Sequence, residues 1–128
     1  MMNSGAESDY GIVLVTIDSQ AQARAIATAV INARLAACVN MFPIHSVYTW
    51  QGMVQEEEEW QLVIKTNLAY YPALEAKIHS LHPYDLPEII ALPIVQGASA
   101  YLAWIGRQVD GLSPQAIPSA SAPLDLSD

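Results

Sequence analysis

The chain has 128 residues, 52% of them hydrophobic, which fits one domain with a substantial core. Its net charge of −8, from 13 acidic residues against five Lys and Arg, repels phosphate backbones and argues against nucleic acid as a partner. No apolar run is long enough to span a membrane, no basic-then-apolar leader is visible over Met1–Asp9, and the single cysteine, Cys38, precludes an internal disulfide framework, so the expected setting is a reducing cytoplasm.

Tyr10 to Ile17 is a short β-branched run, expected as a buried strand after a flexible N-terminus over residues 1–9. Ser19 with Gln22 fits a capping box, and Ile26, Ala29, Val30 and Ala33 then recur at helical spacing, which predicts a slim-faced helix over Ala21–Leu35. From Ala37 the period becomes two. Cys38, Asn40, Phe42, Ile44, Ser46, Tyr48 and Trp50 share one face, and Pro43 points to a bulge or an edge position. Gln51-Gly52 reads as a hairpin turn, and the return strand over Met53–Thr66 places Trp60, Leu62 and Ile64 on one face and Glu57, Glu59, Gln61 and Lys65 on the other.

Tyr71, Leu74, Ile78 and Leu81 form the stripe of a second helix. Ile89–Val95 reads as an edge strand because Pro93 lies within it, and Ala98, Tyr101, Leu102, Ile105 and Val109 mark a last helix. Residues 110–128 are Ser-, Pro- and Ala-rich without periodicity, and are expected as a disordered tail to a domain over residues 10–109. The order β-α-β-β-α-β-α is that of an α+β, ferredoxin-like split βαβ with an antiparallel sheet, both crossover helices on one face, and an extra C-terminal helix.

The hairpin arms are long. Cys38 to Trp50 is 13 residues, roughly 43 Å when fully extended at ~3.3 Å per residue. Two moderate helices cannot cover such a ribbon, and its far end carries Tyr48, Trp50, Met53 and Trp60. Large apolar groups on an open ribbon usually mark an interface, which predicts a closed homo-oligomer in which hairpins extend neighbouring sheets. An assembly of that kind is expected to melt unusually high for a chain of this size.

The segment His82-Pro83-Tyr84-Asp85-Leu86-Pro87-Glu88 carries the chemistry. Its two prolines exclude a continuing helix, so a stiff connector holds an imidazole, a phenol and two carboxylates at a helix end. Cys38 and His82 have structural readings as a small buried hydrophobe and as a helix C-terminal histidine. His79 and His82 are three apart, a weak metal signal, with His79 expected in solvent. Glu56 to Glu59 splits between the two ribbon faces, leaving Glu59 to pair with Lys65 or to line a cleft. Thiolate, imidazole and carboxylate together suit a copper, zinc or similar divalent ion, although their spacing fixes no site. No CxxC, HExxH, GxSxG, P-loop or GxGxxG is present, so phosphate, hydride and acyl transfer have no support and no enzyme is expected.

Arg34–Val39 (RLAACV), Ser46–Gly52 (SVYTWQG), Glu59 with Ile64-Lys65-Thr66, His82–Ile89 (HPYDLPEI) and Tyr101–Ile105 (YLAWI) together resemble the CutA family of divalent-cation tolerance proteins, in the family order over most of Tyr10–Val109. The resemblance implies a tight homotrimer, similar in architecture to the PII signalling proteins, with clefts between subunits. It implies a cytoplasmic protein linked to tolerance of Cu(II) and other divalent ions, with Cys38 and His82 at the family's copper-associated positions. Glu59 and Lys65 match its acidic and lysine positions, and Tyr84 and Trp104 its aromatic positions near the cleft. The expected metal ligands are thus Cys38, His82 and Glu59, and the cleft or interface residues Lys65, Tyr84, Trp50 and Trp104. The competing expectation is a PII-like signalling or scaffold module that takes a small ligand or a protein in the inter-subunit clefts.

Overall fold

In the first strand, β1 (Tyr10–Ile17), alternate residues Val13, Val15 and Ile17 are fully buried, which sets the strand's core face. The structure is a computed structural model and describes residues 9–110. The expected flexible N-terminus and disordered tail fall almost wholly on residues 1–8 and 111–128, outside the described residues.

Helix α1 (Gln20–Asn32) begins at Ser19, whose Oγ accepts from the Gln22 N–H at 3.0 Å. Its buried face is Ala23, Ile26, Ala27 and Val30. The helix stops three residues short of the expected Leu35. Arg34 takes a left-handed conformation (φ 58°), its N–H bonds Ile31 O, and the Leu35 N–H bonds Val30 O. That is the paired-bond C-terminal motif in which glycine is the usual residue, so an arginine there gives no sequence signal.

Strands β2 (Cys38–Trp50) and β3 (Met53–Asn67) pair antiparallel without a break in register from Cys38↔Lys65 to Trp50↔Met53. Gln51 (φ 52°) and Gly52 (φ 81°) both take positive φ, the type I′ pattern that matches strand twist. The sheet order is β2-β3-β1-β4, with β4 at Ile89–Pro93. Pro43 therefore sits on an edge strand and no bulge is needed; Pro93 lies on the other edge.

Helix α2 (Tyr71–Leu81) follows a short 3-10 turn at Leu68–Tyr70. It buries Leu74 and Ile78, which join α1 and the core faces of β1 and β3 in one cluster with Leu62 and Ile64. Leu81, expected on this stripe, is exposed, and His82 takes the interior position one residue later because the chain leaves the helix there in an extended conformation. Helix α3 (Ser99–Gln108) buries Ile105, with Val109 buried just beyond its end. Lys65, on the sheet face opposite the core, lies 5.9 Å from the Tyr101 ring of α3, so α3 covers that face. Arg34 fastens the helix, donating from Nη2 to Arg107 O at 3.0 Å and pairing through Nε with Asp110 at 3.2 Å.

Candidate functional site

The stiff connector after α2 crosses the sheet where β1 ends. His82 is 8% exposed. Its Nε2 donates to Thr16 O at 2.7 Å, since a carbonyl only accepts, and its Nδ1 accepts the Tyr84 N–H at 3.2 Å. The Tyr84 ring meets the His82 ring edge-on, with centroids 4.6 Å apart and planes at 67°. The Tyr84 hydroxyl then donates to Glu59 Oε2 at 2.9 Å. A chain of contacts thus runs from the end of β1 through the connector to a side chain in the middle of β3.

Glu59 is 7% exposed, and no Lys, Arg or His among the described residues forms an ion pair with it. Its surroundings are acidic. Burial first, then the hydrogen bond to Glu59, pushes the Tyr84 phenol well above its ordinary value, and Asp18 and Glu57 add to the effect. Desolvation, then the charge of Glu59, raises the Glu88 carboxyl. Such a site disfavours further negative charge and favours a cation.

Of the expected ligands, the structure brings Glu59 and His82 together through Tyr84 and leaves Cys38 apart. Cys38 is half-buried opposite Lys65, six ladder pairs from the Ile44↔Glu59 pair, roughly 20 Å at ~3.3 Å per residue. Its Sγ has only a long contact, 4.0 Å, to Asn40 Oδ1. Within one chain the three donors do not converge, and among the described residues no group of three or more His, Cys, Asp or Glu is arranged to hold a metal ion. Lys65 does not pair with Glu59; its ammonium lies over the Tyr101 ring, which stacks on Trp104 at 5.5 Å. Trp50 stands exposed beside the turn, at the far end of the ribbon from Lys65. His79 is exposed, 3.5 Å from Glu75.

Sequence reasoning missed a second histidine cluster. His45 places Nδ1 2.8 Å from Glu58 and Nε2 2.8 Å from Glu56 across the ribbon. The signal was present: once the turn pairs Trp50 with Met53, His45 falls opposite Glu58. It also missed the backbone carbonyl of Thr16 as the partner that fixes His82, which no side-chain pattern encodes.

Among the described residues no helix is long and apolar enough to cross a membrane. The chain is 47% identical over 95 residues to the divalent-cation tolerance protein CutA of Thermus thermophilus, covering 73% of this chain and 92% of that one. It is 43% identical over 100 residues to mouse protein CutA, and there spans only 56% of its relative's length against 77% of its own. The solved structure of the Thermus thermophilus divalent cation tolerance protein superposes with a TM-score of 0.77 at 44% identity, over 79% of this chain and 99% of that one. The family model for the CutA1 divalent ion tolerance protein matches residues 11–108, all of the sheet and its helices but Tyr10. This chain belongs to the CutA1 divalent ion tolerance family.

Proposed function

We propose that the protein is a non-catalytic, homotrimeric divalent-cation-binding protein that contributes to metal-ion tolerance, with Cu(II) as the leading ion. The observation that carries this reading is Glu59, a buried acidic side chain whose partner is a neutral phenol and which has no counter-cation among the described residues. An acid removed from water without a cation is costly, so the site is completed by a bound cation. Donors too few in one chain to form a shell are supplemented across a subunit boundary. The exposed apolar ribbon supports that assembly: Val47 is 61% exposed, Met53 65% and Val54 72%. Cys38 adds the thiolate that favours copper or zinc, and a lone thiol suits a reducing compartment such as the cytoplasm.

Native mass spectrometry of the metal-free protein, before and after Cu(II), tests this. The expected result is a trimer that takes up copper in fixed stoichiometry and loses it in Cys38→Ser and Glu59→Gln. A trimer with only nonstoichiometric copper adducts, unchanged in both variants, overturns the metal reading. It then favours a PII-like module with a small ligand in the clefts, for which the Lys65 ammonium beside the Tyr101–Trp104 stack is a suitable ledge for an anionic aromatic group. A thermal-shift screen separates the two, since a ligand that binds the native state raises the midpoint.

A further inference from the structure

The geometry points to His82 as a positioning residue for the Tyr84–Glu59 pair and not as a metal ligand. A neutral imidazole has one N–H and one lone pair. At His82 both are in use. Nε2 faces Thr16 O at 2.7 Å and must carry the hydrogen, and the Nδ1 lone pair takes the Tyr84 N–H at 3.2 Å. The ring is buried, so water cannot replace either partner at no cost.

A metal ion needs a lone pair, and in this tautomer the only one belongs to Nδ1. Coordination there strips the Tyr84 N–H of its acceptor, next to Pro83, which has no N–H of its own. Moving the proton to Nδ1 instead turns a lone pair toward the Thr16 carbonyl and leaves two acceptors facing each other. Either route to coordination breaks an existing hydrogen bond, and the second also ends the tautomer that fits both partners.

The two bonds already have a use. They tie the C-cap of α2 to the end of β1, fix the backbone at Tyr84, and set its ring edge-on to the imidazole. The phenol is thereby delivered to Glu59 at 2.9 Å. His82 acts on Glu59 through Tyr84. This refines the cation-binding reading, in which Glu59 of one chain is completed by donors from a neighbouring chain, its Cys38 among them, and only the metal arm of the test below rests on it.

The experiment is nitrogen NMR of the full chain labelled at its three histidines, at neutral pH, without metal and then with one equivalent of diamagnetic Zn(II) per chain. His45→Gln, His79→Gln and His82→Gln assign the signals. The expected result is a neutral Nε2–H tautomer at His82 without metal, and a His82 Nδ1 resonance that Zn(II) does not move. His82→Phe, which keeps bulk and loses both hydrogen bonds, weakens Zn(II) binding by about 10- to 100-fold, as loss of an outer-shell partner does, and His82→Gln recovers part of the loss through a bond to Thr16 O. A metal-free Nδ1–H tautomer or an imidazolium overturns the inference, and so does a Zn(II)-induced shift of the His82 Nδ1 resonance. If the protein takes up no Zn(II), the cation-binding reading fails while the metal-free tautomer still decides the role of His82.

Discussion

The inner and outer halves of the β2–β3 ribbon share one unbroken ladder and differ in what covers it. Toward Cys38 and Lys65, α1 and α2 close over Leu62, Ile64 and Thr66, which are fully buried. Toward the turn Val47, Trp50, Met53 and Val54 stay exposed among the described residues. Backbone pairing therefore extends the ribbon, but burial has to be supplied from outside it. A two-stranded ribbon in water is marginal by itself, so the outer half is expected to order fully only against other chains.

The largest effect is expected in the inner half. Ile64→Ala removes a fully buried side chain between the helices and β1, and should cost about 2–5 kcal/mol in denaturant unfolding. In the outer half the same kind of change should act on assembly. Val54→Asp combined with Met53→Asp places two charges among exposed apolar groups and should convert the proposed trimer to smaller species in sedimentation, with the β-sheet signal retained. If the doubly charged protein stays fully assembled, the outer half is not the contact surface and the contrast loses its meaning.

A smaller effect belongs to the turn. An added Cβ at Gly52 meets nothing within 4 Å, so Gly52→Ala is charged only with its positive φ, about 1–2 kcal/mol. The smallest effect is electrostatic. Hydrogen bonds to Glu56 and then Glu58 raise the His45 pKa above its ordinary 6.5. They are the charged groups that face it, and β2 is an edge strand. With the folded value above the unfolded one, the imidazolium's support for the ribbon is fully present below about pH 6.5 and fades as pH rises through the raised value. Amide exchange across His45–Glu58 should accelerate over that window, and Glu56→Gln with Glu58→Gln should flatten the response. A His45 titration at or below 6.5 would remove the clamp.

The ribbon was the most legible part of the fold. Alternation of two over Cys38–Trp50 and a Gln-Gly turn fix both strands and their register, because a one-residue slip would turn Leu62 and Ile64 into water. The end of α1 was not legible: Arg34 holds a conformation that composition assigns to glycine. Nor was Leu81, whose helical spacing is right but whose helix ends before the stripe can use it. At the candidate site the connector was legible from its prolines, and the meeting of Glu59 with Tyr84 was not, because it depends on how the connector passes the end of β1. The separation of Cys38 from Glu59 follows from strand rise alone, once both are placed on the ladder.

The Gln51-Gly52 turn has a consequence for the order in which the chain acquires structure. Residues on either side of it are close in sequence, and a hairpin of this kind zips in about 1–10 μs. β1 and β4 join only after much longer loops close, and the Arg34 bond to Arg107 spans 73 residues. The ribbon is therefore expected to form before the body that anchors it, with its apolar tip presented to other nascent chains. Glu56, Glu57 and Glu58, set along that strand, are placed to act as gatekeepers during this interval, since their like charges disfavour edge-to-edge pairing with other chains.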